Sequence, residues 1–214
     1  MKEAIDAGEL GRVLYMTCQR VNLGKVRSDE NAMWSLAPHD VSVILHLLGG
    51  TPTEVAAHGL TYLQPQAGIE AVVFVTLRYA DGRAAHIHVS WLDPHKRRRL
   101  TVVGTRKMVT FDDMKAEKIR IYDKGVDGLD DMPDYASYGD LLTLRQGDIL
   151  SPHIPMREPL RVLCQSFLDA IDQGVDPLTD GQNGVDVLRV LDAAQRSLDQ
   201  GGAPVSLSTA GAAA

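Results

Sequence analysis

His39, in the stretch Trp34-Ser-Leu-Ala-Pro-His-Asp40, is the residue of this 214-residue chain best placed to move a proton. Pro38 suits the first position of a helix, because its φ is already helical and its missing N–H is one the first turn would not bond. Val41, Ile44, Leu45 and Leu48 follow at the i, i+3, i+4, i+7 spacing of one apolar face, and Gly49 and Gly50 end it. The pattern predicts a loop that delivers His39 onto the first turn of a helix. There the positive helix end disfavours an imidazolium, leaving a neutral ring able to accept a proton. Taken alone, the local residues favour a plainer role in which His39 caps or packs.

Further polar side chains precede it. Arg20 and Asn22 stand at the start of a loop that runs to Ser35 and also carries Lys25, Arg27, Asn31 and Trp34. A cationic, hydrogen-bonding loop between a strand and the His39 helix is a place for substrate contacts, since loops on a rigid scaffold commonly carry function. A solvated connection accounts for the same composition. His86 and His88, two apart on a strand, point the same way and would suit two metal ligands, with Asp93, His95 or His153 as a third. No fixed spacing singles out that third ligand, and a polar sheet face packed on another subunit explains the same alternation, so no metal is assigned. His39 and His46 stand ~10 Å apart by helical rise, too far to share an ion. Lys96-Arg-Arg-Arg99 opens a strand and reads as a solvated or phosphate-contacting edge. There is no serine nucleophile elbow, no paired-carboxylate arrangement, no Gly-x-Gly-x-x-Gly after a strand and no Walker lysine loop, so no residue is assigned to cofactor binding.

The elements that must position these groups follow from periodicity. Residues 2 to 7 allow only about two helical turns and read as the end of a longer helix. Residues 11 to 22 form a first strand, and 53–63, 70–79, 84–92, 99–104, 107–111 and 117–123 read as further strands. Tyr79-Ala-Asp-Gly-Arg83 centres an Asp-Gly turn, which makes 70–79 and 84–92 a hairpin. Residues 127 to 138 read as an acidic surface loop, and 141–146 as a strand. Prolines hold 151–158 extended before a helix over 158–173, whose apolar face is Leu160, Leu163, Cys164, Phe167, Leu168 and Ile171. Thr179 and Gln182 match a capping box for a second helix faced by Val185, Leu188, Leu191, Ala194 and Leu198. Residues 203–207 suit an edge strand and 208–214 a frayed, flexible tail. Strands joined by short turns, with helices gathered late, predict an α+β fold: a large, mainly antiparallel open sheet with helices packed on one face.

Composition excludes several functions. Twenty-eight acidic against 22 basic residues give a formal charge of −6, which argues against nucleic-acid binding. No apolar run is long enough to span a bilayer and the N-terminus is too polar for a signal peptide, so no membrane partner and a cytoplasmic location are expected. Cys18 and Cys164 sit within apolar patterns and read as reduced, buried thiols.

Several segments, in order, carry a resemblance: Arg20-Val-Asn-Leu-Gly24, Trp34 to Asp40, Ser90-Trp-Leu-Asp-Pro-His-Lys96, Glu158-Pro-Leu160 and Pro177-Leu-Thr-Asp-Gly-Gln-Asn-Gly184. Together they resemble the C-terminal domain of the Gfo/Idh/MocA oxidoreductases, nearest to the nucleotide-sugar and N-acetyl-aminosugar dehydrogenases. The resemblance implies that 1–10 is a remnant of the last helix of a Rossmann domain not present in these residues, and that 11–207 is the α+β domain that builds the substrate pocket and the oligomer interface. It implies NAD or NADP as cofactor, held by the absent domain, and a sugar or nucleotide-sugar substrate. His39 matches the family's acid–base histidine, and Arg20, Asn22, Arg27 and Asn31 would be substrate contacts. Ser35 stands on the substrate side where the family usually has an aspartate; a hydroxyl can hydrogen-bond but cannot hold a negative charge beside an imidazolium. One expectation is therefore the substrate-binding and oligomerisation half of a dehydrogenase acting on CH–OH, a homo-oligomer through its sheet face that turns over only with a separate Rossmann-domain partner. The other is a non-catalytic sugar-binding or dimerising module, or the product of a truncated gene.

Overall fold

The computed structural model describes residues 1–127 and 143–207. In chain order its elements are α1 (Lys2–Asp6), β1 (Val13–Val21), α2 (Ala32–Leu48), β2 (Glu54–Leu60), β3 (Val72–Arg78), β4 (Ala84–Ser90), β5 (Arg97–Gly104), β6 (Met108–Asp112), β7 (Ile119–Asp127), β8 (Thr143–Leu150), α3 (Pro159–Gln173), α4 (Gly181–Asp199) and β9 (Val205–Ser206). Residues 128–142, most of the expected acidic loop and the start of its following strand, lie outside the described residues, as does the expected tail 208–214.

The strands form one nine-stranded sheet in the order β8-β7-β6-β5-β1-β4-β3-β2-β9. Its neighbours pair antiparallel except β1 and β4, which run parallel with Cys18 opposite Ile87 and Arg20 opposite Val89. The sheet is therefore mixed. After β1 the chain crosses over through α2 and the β2–β3 pair before returning as β4, and a crossover of that kind lets two strands run the same way. Residues 79–83 do form the expected hairpin turn: Tyr79 N–H donates to the Arg83 carbonyl at 2.9 Å, and Gly82 takes a φ of +86° that a side chain would resist.

Strand alternation sends Met16, Cys18, Val73, Val75, Leu77, Ala85, Ile87, Leu100 and Val102 to the face covered by α2 and α4, and all are buried. Val41, Ile44, Leu45 and Leu48 of α2 lie in the same core, as their spacing requires. Ser197, fully buried in α4, accepts from the Ala57 N–H of β2 at 2.9 Å and donates to the Ala203 carbonyl at 2.7 Å, which ties helix and sheet edge together. Residues before β1 also join this body. Leu10 is buried, its carbonyl accepts from Arg106 N–H at 2.9 Å, and a Cβ at Gly104 would stand 2.2 Å from that oxygen, so the approach needs glycine.

Three expectations are corrected. α2 starts not at Pro38 but at Ala32, capped by Asn31, whose side chain accepts from Trp34 N–H at 3.1 Å. Pro38 lies inside the helix, where it removes the bond that the Trp34 carbonyl would accept. The apolar face of α3 is not buried: among its residues only Ala170 is, while Phe167, Ile171 and Leu160 are exposed, and so is Cys164. α4 is capped by Asp180, one residue after the expected Thr179, through a 2.7 Å bond from Asn183 N–H.

Candidate functional site

His39 sits in the middle of α2, and what surrounds it comes from two strand ends. Arg20 ends the helix-facing side of β1, directly opposite Arg98 of β5, and Asn22 follows one residue beyond the strand. Together with His39, Leu36, Val21, Lys96 and Arg97 they line a recess of about 80 Å³. Larger grooves of about 830 and 580 Å³ run along α3 and between α2 and α4. Neither is lined by His39, Arg20 or Asn22, and both are open, so size does not mark the site here; convergent polar groups do.

Arg20 and Asp40 make a two-pronged pair behind the imidazole, Nε to Oδ2 at 2.8 Å and Nη2 to Oδ1 at 3.1 Å. Asp40 is buried, and the planar fork fixes both side chains. Burial holds the His39 ring below its ordinary pKa, Arg20 and then Arg98 push it the same way, and Asp40 opposes them. The ring is thus neutral near pH 7 and half-buried, the state of a general base. The helix N-terminus is too far away to contribute, because seven residues of helix separate the Asn31 cap from His39. Cys18, deeper on the same face of β1, has its thiol pushed far up by burial, with Asp40 adding to the effect, so it is inert packing.

Of the expected contacts, the structure brings Arg20 and Asn22 to His39 and places the others elsewhere. Arg27 points to Glu30 at 2.9 Å on the exposed loop. Asn31 is buried; besides capping α2, its Nδ2 donates to Glu70 at 2.9 Å and Gln195 at 3.1 Å, and Trp34 Nε1 donates to the same Gln195 oxygen at 3.0 Å. Ser35 lies one turn before His39 on the same helix face but does not line the recess. His86 and His88 do share the open sheet face, where His86 meets Thr76 at 3.0 Å and His88 stacks on Phe74 at 4.4 Å. No cluster of three metal-binding side chains occurs among the described residues. Asp40, Lys96, Arg97 and Arg98 were not assigned to the site from sequence. The adjacency of Asp40 to His39 and the basic run were visible, but their convergence depends on pairing between β1 and β5.

A mixed sheet, helices on one face and a half-buried histidine backed by an Arg–Asp pair define an α+β domain with a polar, histidine-lined recess at a strand end. A family profile described as GFO/IDH/MocA C-terminal domain matches residues 1–110. The chain belongs to the GFO/IDH/MocA family. Among solved structures it is similar to the UDP-N-acetylglucosamine 3-dehydrogenase of Acidithiobacillus ferrooxidans (TM-score 0.70, 19% identity, 93% of this chain and 58% of that one). It is also similar to the aldose-aldose oxidoreductase of Caulobacter crescentus (TM-score 0.70, 16% identity, 96% and 59%) and the WlbA dehydrogenase of Bordetella pertussis, solved with NADH and UDP-GlcNAcA (TM-score 0.67, 20% identity, 96% and 58%). At these identities the likeness is one of fold, and the chain spans under two thirds of each relative's length. No curated protein sequence matches.

Proposed function

We propose that this chain is the substrate-binding and assembly part of an NAD(P)-dependent oxidoreductase acting on a sugar or nucleotide sugar, with His39 as the group that moves a proton at the reacting hydroxyl. The observation that carries this is the His39 recess. A neutral imidazole is held by burial and Arg20 in the accepting state, and Asn22 and Arg20 stand beside it to orient a polyol. Arg20 and Asn22 position the substrate, His39 takes the hydroxyl proton, and the Arg20–Asp40 pair keeps the site fixed while it does so. Arg27, Asn31 and Ser35 are not given contacts in this reading.

The described residues do not fit the dinucleotide. They contain no glycine-rich turn between a parallel strand and a helix, and the sole parallel pair among them, β1 with β4, is joined through two intervening strands. What these residues contribute in this proposal is binding, orientation and one proton, and a Rossmann domain completes the site. The exposed apolar face of α3 suits burial against such a domain. Self-association through the open sheet face and a cytoplasmic setting belong to the same proposal; no described helix is long and apolar enough to cross a membrane.

The test joins the chain to a nucleotide-binding domain and measures sugar oxidation with and without His39→Ala. A loss of about 100-fold or more in kcat with the fold intact is expected. Unchanged turnover would refute the role. Saturable NADH binding to the chain alone, followed by fluorescence, would overturn the absence of a cofactor site.

A further inference from the structure

The recess at His39 runs against the charge of the chain. The whole sequence carries −6, yet this small cavity is lined by Arg20, Lys96, Arg97 and Arg98 and by no acidic side chain. Two of these cations are matched, Arg20 by Asp40 and Arg98 by Asp113 at 3.3 Å on an exposed pair. Lys96 and Arg97 have no ion-pair partner among the described residues, although Arg99, next in the strand, reaches Asp112 at 3.0 Å. Placing Arg20 directly across from Arg98 sets like charges opposite each other, an arrangement that costs stability unless something offsets it.

Asn22 lines the same recess, although its Oδ1 is buried and accepts from nothing, so that atom is not what a ligand would meet. Size narrows the ligand further. About 80 Å³ is far below what a whole sugar requires but suits one compact substituent.

We propose that this recess reads an anionic substituent, a phosphate or a carboxylate, on the sugar whose hydroxyl faces His39, with Lys96 and Arg97 as specificity-determining residues. This rests on the sugar-oxidoreductase reading above. A polymer phosphate backbone is a poor alternative, because the basic run is short and the chain as a whole carries −6. An anion seated there also offsets the cationic field of Arg98 and Arg20 on His39, so its arrival makes the ring easier to protonate.

The experiment titrates the purified chain with glucose 1-phosphate, glucuronate, glucose and inorganic phosphate, following heat and the His39 ring resonances. The same series is run on the double variant Lys96→Ser, Arg97→Ser, whose changed side chains are exposed. At least one charged sugar should bind about tenfold more tightly than glucose, with the advantage shrinking as salt rises from about 50 to about 300 mM. In the double variant the advantage should fall to within about twofold, and the charged sugar should raise the His39 titration midpoint in the parent only. Which charged sugar wins separates phosphate from carboxylate. Equal binding of charged and neutral sugars, or an advantage that survives in the variant, overturns the inference; if glucose still moves the His39 ring, the sugar reading stands without it. Inorganic phosphate bound through Lys96 and Arg97 with no sugar bound would uphold the anion site and sink the sugar reading. No binding of any of the four defeats both.

Discussion

His39 is held between opposing charges, and each can be removed separately. Arg20 lowers the affinity of the ring for a proton and Asp40 raises it, both after burial has lowered it first. Asp40→Asn should therefore move the His39 titration further down, and Arg20→Met should move it up, as read by the ring protons in NMR. Asp40→Asn should also cost roughly 3 kcal/mol in denaturant unfolding, because it leaves the Arg20 guanidinium half-buried and unmatched. A pH effect on stability follows with its sign. The folded chain holds His39 below its ordinary pKa of 6.5, so the unfolded chain takes up the proton first as pH falls. That component of stability is present above 6.5 and is lost as pH drops through the folded value. The unfolding midpoint of the parent should fall more between about pH 7.5 and pH 5.5 than that of His39→Asn. An equal fall in both would show that His39 does not carry it.

At the scale of elements, α2 shows how a correct pattern can be placed in the wrong register. Val41 to Leu48 mark the buried face, but the helix begins seven residues before His39 because Asn31, expected as a substrate contact, caps it. Asn31→Ala removes the cap and two buried hydrogen bonds, and should cost about 2 kcal/mol or more in thermal or denaturant unfolding, without altering sugar binding. The β3–β4 hairpin was legible because Asp81-Gly82 sets both its turn and its register, whereas the parallel pairing of β1 with β4 left no local trace. The helix pattern of α3 was equally legible, but amphipathicity says only that a face needs cover, not that this chain supplies it. Phe167→Glu should leave the unfolding midpoint within about 0.5 kcal/mol of the parent while lowering self-association or partner capture. A large loss of stability would mean that the face is packed within this chain after all.

Across the whole molecule the sheet has one face sealed by α2 and α4 and another on which rows of polar residues cross strand after strand. His58, Phe74, His88, Gln19, Arg99 and Asp112 follow one another in register from β2 to β6. Among the described residues no helix covers that face, yet Phe74, His88 and Gln19 are half-buried, with Phe74 stacked on His88 and Gln19 reaching His88 at 3.5 Å. If this face is the assembly surface, sedimentation should give a species larger than 23.3 kDa, and Gln19→Glu with Thr101→Glu should return it to a monomer. A monomer for the parent at high concentration counts against the proposal.

The central place of β1 also sets which parts of the site are free to drift. Arg20 sits on a strand hydrogen-bonded on both sides, to β4 and to β5, so its amide should exchange with solvent only when the whole domain unfolds. Lys96 precedes the first residue of β5, and Arg97 is that residue, so both lie where strands fray first. The Arg20 end of the recess is locked to global stability, and the Lys96–Arg97 edge is not. Changes of ligand preference should therefore accumulate at 96 and 97 at little cost to folding, while Arg20 and Asp40 stay fixed.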